Sequence, residues 1–471
     1  MRRKWAWVAL VAVFALIVAA CGDDEGETTT TAAEETTTTA AEETTTTAAE
    51  ETTTTAEETT TTTAEEPLTV GMILVGPYND HGWSQAHYEA GLYLEEKLGI
   101  ELIYLDSVNT ADRPETTVDQ VVTQLIDQGA DIVFATSDDM RDGAELGAEM
   151  HPDVPMVWSS GDSAWTEAGE AYRPDLTNLA NTMGRMEFGK MMAGCAAALT
   201  TQTGELGYLG PLINAETLRL ASSVYLGAQY CWENYRGETD PIGFRVDWIG
   251  FWFNIPGFTL DPTQVANDFF DSGIDVVISG IDTTEGLVVA GQRAAAGETV
   301  WAIPYDFIGA CEEAPEICLG VPYFNWGPAY MRIVESVMAG TFEAGFEWFG
   351  PDWADLNNPT TSGIGFEKGP GLSEENGALL DEFIAGLADG SINLFTGPLN
   401  YQDGTPFLEQ RKPLLKNWLT LFVANLTLED IRGERNLRHV QSQIADTFNQ
   451  GLFPNAPPCI KRVLFKELSI Q

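Results

Sequence analysis

Several short stretches of this sequence place an aromatic ring beside a carboxylate, an amide or a hydroxyl. They are Pro77–Ser84 with Asn79, Asp80 and Trp83, then Thr136-Ser137-Asp138, then Phe251–Asn254 with Trp252. Further on come Asp282, the pair Tyr305-Asp306, and Tyr323 with Asn325 and Trp326. Flat rings can sandwich a base or a sugar, while Asp, Asn and Ser orient it by hydrogen bonds. That is binding chemistry. Catalytic chemistry is poorly represented: the chain has 4 histidines, and no GxSxG, HExxH, P-loop or GxGxxG following a strand. His81 and His87 stand six apart, a spacing that does not share one helix face. The cysteines form no CxxC pair, so neither a metal nor a cofactor is implied. A cell-surface enzyme acting on nucleosides or glycosides is the disfavoured alternative.

Each candidate also has a plainer reading. Asp138 and Asp282 directly precede helical patterns and would serve as N-caps. Trp83 would serve as core filler, and the Phe-Trp-Phe run leaves open which ring faces a ligand. Asn325 and Trp326 would serve as a hinge between two lobes.

The elements that must position these residues are given by an internal repeat at an offset of 144 residues. Val118–Asp162 and Pro262–Asp306 each read as an amphipathic helix, a Gly-x-Asp turn, a buried apolar strand, a polar loop, a helix and another strand. Gln120 matches Gln264, Gly129 matches Gly273, Asp131 matches Asp275, Asp138 matches Asp282, and Asp162 matches Asp306. Each copy is preceded by a strand and a helix: Val70–Gly76 with Ser84–Leu98, and Glu205–Gly210 with Glu216–Tyr235. Strands alternating with helices imply parallel sheets covered on both faces. The expected fold class is therefore α/β, two Rossmann-like lobes with parallel sheets joined by a hinge. Ligands in such sheets bind beyond the carboxyl ends of the strands, here in a cleft shared by the lobes.

The ends of the chain speak to location. Arg2, Arg3 and Lys4 precede an apolar run, Trp5–Ala20, too short to span a membrane comfortably. The run ends in small residues before Cys21, an arrangement that resembles a bacterial lipobox and would make Cys21 a lipidated N-terminus. Residues 22–66 then repeat TTTTAAEE and close variants, with 14 acids and no base. Nothing in that tract can offset the entropy of ordering, so it reads as an extended tether, with O-glycosylation an open question.

The whole chain carries a net charge of −47. Pro67–Glu409 has 52 acids against 12 bases, which argues against nucleic acid as a partner. Gln410–Gln471 reverses the sign with 9 bases and 5 acids. That abrupt change is expected to mark a reading-frame error ahead of a divergent tail or a docking segment. Cys311 with Cys318, and Cys195 with Cys231, are candidate disulfides in an exported protein, the connectivity remaining open. The division expected is 1–20 signal peptide, 21–66 lipidated cysteine and tether, and 67–183 first lobe with a return segment at about 325–345. After these come 184–324 as second lobe, 346–409 as remaining lobe elements and 410–471 as an atypical basic tail.

At this point the residues resemble the basic membrane protein family of ABC-transporter substrate-binding lipoproteins, related to purine nucleoside receptors. The resemblance rests on GPYNDHGWSQAHYEAG, GADIVFATS, GRMEFGKMMAG, WFNIPGFTLDPTQVANDFFDSGIDVVISGIDTTEG, VPYFNWGPAYMRIVESVMAGTF and LFTGPLNYQDG, spanning about Leu68–Glu409. It implies a type I periplasmic-binding-protein fold and a purine nucleoside or nucleobase as cargo. Asn79 and Asp80 would bond the ligand and Trp83 would stack on it. Ser137 and Asp138 would contribute from the first lobe, and Trp252, Asp282, Asp306 and Asn325, with Trp326 beside it, would complete the closed site. The sequence departs at WFNIPGF, where Asn254 and Ile255 replace the usual Asp-Pro, and no lysine stands in these loops. The partners implied are a small-molecule ligand, an ABC permease, and the membrane through the lipid anchor, with no nucleic acid; the expected state is a monomer facing outside the cytoplasm. A sugar-binding sensor or chemoreceptor-feeding protein of the same fold is the alternative within the fold.

Overall fold

The structure, a computed structural model, describes residues 67–395. Cys21, the tether and the basic tail lie outside the described residues. Among the described residues no helix is long and apolar enough to cross a membrane.

The repeat offset becomes a structural offset. Helix α2 (Val118–Asp127) and helix α6 (Pro262–Asp271) lie 144 positions apart, as do strands β3 (Ile132–Ala135) and β8 (Val276–Ser279). The helices α3 (Arg141–Met150) and α7 (Glu285–Ala295) begin at the same spacing. Both α2 and α6 form because one apolar stripe meets a sheet: Val121, Val122 and Leu125 in the first, Val265, Ala266, Phe269 and Phe270 in the second. The Thr117/Gln120 capping box starts one, and Asp261 with Pro262 starts the other. Each ends at a glycine with positive φ, Gly129 at 103° and Gly273 at 95°, where a side chain would be strained.

The paired aspartates do equivalent work. Asp131 accepts from the Thr69 N–H at 2.8 Å, and Asp275 accepts from the Gln202 and Thr203 N–H groups at 2.6 and 3.1 Å. Both fasten the approach to a neighbouring central strand.

The first lobe holds β1 (Thr69–Ile73), β2 (Glu101–Leu105), β3, β4 (Met156–Ser159), β5 (Leu179–Gly184) and β11 (Phe346–Phe349). They form one all-parallel sheet ordered β2-β1-β3-β4-β5-β11. The second lobe holds β6 (Glu205–Gly210), β7 (Gly243–Trp248), β8 and β9 (Trp301–Ile303), parallel and ordered β7-β6-β8-β9. The order β2-β1-β3-β4 is thus repeated as β7-β6-β8-β9. Beyond β9, isolated parallel bridges join Ala302 to Cys318 and Asp306 to Tyr323, and β10 (Gly320–Phe324), which holds Tyr323, pairs antiparallel with β12 (Ile364–Lys368). This antiparallel edge is a departure from the purely parallel expectation. The return to the first lobe runs through α8 (Gly327–Met338) and continues into β11, past the boundary expected near 345, because β11 pairs with β5. Helix α9 (Glu374–Asp389) buries Leu380, Phe383 and Leu387 in the second-lobe core.

The lobes are tied by crossings that meet. A Cβ on Gly184, at the end of β5, would stand 2.5 Å from Phe324 and 2.7 Å from Ile364. Asn325 fastens the second crossing to the third, its Nδ2 donating to Ser362 O at 2.8 Å and Pro359 O at 3.0 Å, its N–H to Gly363 O at 2.9 Å. Both candidate disulfides form: Cys195–Cys231 joins α4 (Glu187–Thr200) to α5 (Ala215–Asn234), and Cys311–Cys318 closes a loop after β9.

Candidate functional site

A small cavity lies between the lobes, lined by Trp83, Ser137, Asp138, Ser160, Glu216, Trp252, Asp282 and Tyr305. Each lining residue follows the carboxyl end of a parallel strand, where strand polarity and the onset of the next element leave side chains pointing into the cleft. Trp83 follows β1, Ser137 and Asp138 follow β3, and Ser160 follows β4. From the other lobe Glu216 follows β6, Trp252 follows β7, Asp282 follows β8 and Tyr305 follows β9.

The first-lobe wall is rigid. Trp83 opens helix α1 (Trp83–Leu98) and donates its indole N–H to Thr136 O at 2.6 Å. Its ring meets Phe324 and Trp326 edge-on at 5.3 and 5.4 Å. Trp83 is therefore both core and cavity wall. Ser137 is the N-cap of a single 3-10 turn, accepting from the Asp139 N–H at 3.3 Å. Asp138 is thereby released from the capping duty considered for it. Asp282 is released likewise, the N-cap of α7 being Thr284. Ser160 stands at φ 64°, a conformation unusual for a residue with a Cβ, and its hydroxyl has no partner among the described residues.

The second-lobe wall is acidic and enclosed. Asp282 is 5 % exposed, and its N–H donates to Trp252 O at 2.9 Å, which locks those two cavity residues together. Asp306, next to Tyr305, is fully buried at φ 73°, and among the described residues neither carboxylate oxygen makes a hydrogen bond of normal geometry. Burial first, then the neighbouring carboxylates Asp306 and Asp80, holds Asp282 well above the usual range. Burial does the same to Asp306 against the opposing pull of Lys190, with Asp80 and Glu216 adding to the rise. Glu216 is pushed up to about 7, mainly by burial, which the nearby Arg219 partly offsets. Asp138 is raised by burial, partly offset by Arg141.

A lysine does serve this wall, from an element outside the loops. Lys190 on α4 is wholly buried, donates to Ser279 O at 2.7 Å and lies 3.0 Å from the centre of the Tyr305 ring. Burial lowers it to about 7, while Asp306 and Glu216 pull the other way. The sequence signal for Lys190 was its position as a single cation within Phe188–Thr200, an otherwise apolar or small-residue helix stretch.

Of the residues singled out from sequence, Trp83, Ser137, Asp138, Trp252 and Asp282 line the cavity, and Asp306 adjoins it behind Tyr305. The others sit elsewhere. Asn79 is exposed on the loop before α1. Asp80 is committed to that loop, accepting from the N–H groups of Gly82, Ser84 and Gln85 at 2.9, 3.0 and 2.9 Å. Asn325 belongs to the crossing described above. Trp326 is fully buried in the first-lobe core, stacked on His87 at 4.2 Å and on Phe324 at 5.0 Å. Ser160, Glu216, Tyr305 and Lys190 are the additions the structure makes.

The lobes are in contact across the cleft. A Cβ on Gly82 would stand 1.6 Å from the carbonyl oxygen of Asp282 and 2.7 Å from its carbon. Only a glycine allows this approach, and it places Trp83 opposite the second-lobe wall.

This geometry is a ligand site enclosed by two parallel-sheet lobes. Residues 68–350 match the family model described as ABC transporter substrate-binding protein PnrA-like. The chain belongs to this family. Residues 1–71, mostly the threonine repeat, also match the model of the New glue protein family. A purine-binding protein of Brucella abortus is 27% identical over 344 residues, 73% of this chain and 87% of that protein. A putative ABC transporter glucose-binding protein of Haloferax volcanii is 28% identical over 304 residues, 64% of this chain and 68% of that protein. Among solved structures, an ABC transporter solute-binding protein from Aeropyrum pernix matches with TM-score 0.56 at 15% identity, over 75% of this chain and 98% of that one. One from Conexibacter woesei matches with TM-score 0.50 at 19% identity, over 69% and 98%. The fold is that of type I periplasmic binding proteins, and the family's members are substrate-binding proteins of ABC transporters.

Proposed function

We propose that this chain is the lipid-anchored, extracytoplasmic binding protein of an ABC importer and that its cargo is a purine nucleoside or nucleobase. The carrying observation is the cavity itself. Three rings, Trp83, Trp252 and Tyr305, share it with the acceptors Asp138, Glu216 and Asp282. Aromatic faces suit a flat base, and carboxylates suit the N–H groups and hydroxyls attached to it. Asp306, buried beside Tyr305 with no hydrogen bond of normal geometry to its oxygens among the described residues, is an acceptor that a donor-rich ligand would satisfy. The Brucella relative, described as purine-binding, supports the same reading. Cys21 would hold the chain to the membrane, the acidic tether would extend it, and a permease would receive the cargo; no catalytic step is assigned to the site.

A second reading is a hexose. Carboxylates between rings suit sugar hydroxyls equally, and the Haloferax relative is described as a putative glucose-binding protein. A thermal-shift panel with adenosine, guanosine, adenine, ribose and glucose separates the two. A cargo present at 100 times its Kd adds about 2.7 kcal/mol of stability, and a purine is expected to do so. A shift with glucose and none with any purine would replace the first reading by the second.

A further inference from the structure

The two lobes also meet through a charged contact that lies outside the cavity. His81, in the loop before α1, places Nδ1 3.0 Å from Oε1 of Glu313 in the second lobe. The two atoms are close without the alignment of a hydrogen bond. Both partners are held in place. His81 sits at φ 57° with its N–H donating to Gln85 Oε1 at 3.1 Å, and its ring meets Phe307 edge-on at 6.4 Å. Glu313 lies within the loop closed by the Cys311–Cys318 disulfide. Neither side chain lines the cavity. The contact joins residues from opposite lobes and is adjacent to Gly82, whose approach to Asp282 marks closure.

We propose that His81 and Glu313 form a latch that holds the closed lobes together and sets how long the ligand stays bound. The pair exists only when the lobes meet, so it stabilises the closed state alone. A ligand binding the open form meets neither group. The latch therefore slows dissociation and leaves association unchanged. Glu313 faces the imidazole across the cleft, with the Asp282 backbone against Gly82 and the Phe307 ring beside it.

This inference rests on the purine reading only for its kinetic probe, adenosine. Stopped-flow binding of adenosine to the full chain is compared for wild type, His81→Gln, Glu313→Gln and the double variant. Each single variant is expected to release adenosine about 1.5–5-fold faster, the range of an exposed ion pair, with association unchanged. The double variant adds little to either single change. Hydrogen exchange of the unliganded chain reads the same latch without any ligand: amides 78–84 and 281–284 exchange faster in both single variants. If adenosine fails to bind wild type, the purine reading fails and the exchange result alone decides the latch. Unchanged exchange in those amides, or unchanged dissociation where adenosine binds, would overturn it.

Discussion

Replacing Gly82 by alanine tests whether the ligand site is made by closure of the lobes. The added Cβ would stand 1.6 Å from the Asp282 carbonyl oxygen. A carbon and a carbonyl oxygen normally approach to about 3.3 Å, so the backbones must part by roughly 1.7 Å at this point. Neither side can yield locally. The Gly82 N–H is tied to Asp80 and its carbonyl accepts from the Ala86 N–H, while the Asp282 N–H is tied to Trp252 O. The cheaper response is for the lobes to stay apart, which separates Trp83 from Trp252 and Tyr305. Overpacking of this kind costs about 1–3 kcal/mol, equivalent to roughly 5–150-fold in affinity. The open form has room for the methyl group, so without ligand the chain should still fold and lose only its own closure. Calorimetric titration with the cargo measures the affinity, and small-angle scattering with and without cargo measures compaction. A Gly82→Ala protein that binds and compacts like wild type would refute closure at this contact.

Other outcomes follow from the charges and the covalent framework. Asp282, Asp306 and Glu216 have folded pKa values raised above their unfolded ones, so the native chain keeps protons that the unfolded chain has already released. Stability without ligand should therefore fall as pH rises from the ordinary carboxylate range, for Glu216 up to about 7, and Glu216→Gln should flatten that fall in melting temperature between pH 5 and 7. Asp306→Asn should raise the unliganded melting temperature at pH 7 and weaken cargo binding, the usual exchange between stability and function. Lys190→Met at pH 7 should cost more in the wild-type background than in Asp306→Asn, with a coupling of about 0.5–3 kcal/mol in denaturant titrations, since the ammonium offsets Asp306. Replacing Cys195 and Cys231 by alanine opens a loop of sequence separation 36 and should cost about 4 kcal/mol of stability while leaving ligand preference intact.

The architecture was legible because a repeat fixes it twice over. Matching stripes, turns and glycines at one offset specify the same helix–strand–helix unit, and the unit's packing does not depend on anything remote. The β10–β12 pair was not legible, since β12 is brought to β10 by a crossing that no local pattern announces. At the site, the loops after the strands were readable as loops, but the direction of each side chain was not. Asp80 and Asp138 look alike in sequence. The backbone folds around Asp80 and takes up its oxygens, while Ser137 takes the cap beside Asp138 and leaves that carboxylate to the cavity. Trp326 went to the core because α8 packs on α1 and needs a large ring against His87. Lys190 escaped notice because helix positions are read as packing, and its partners Ser279, Tyr305 and Asp306 are 89 or more residues away.

The proposed role of the cavity between Trp83 and the acidic second-lobe wall is to hold a purine. Isothermal titration of the full chain with adenosine, guanosine and adenine, set beside Trp83→Phe and Asp306→Asn, tests it most directly. The account predicts saturable one-to-one binding of at least one purine, weakened by both substitutions. Saturable binding of glucose with no heat from any purine, or a purine isotherm indifferent to both substitutions, would contradict it.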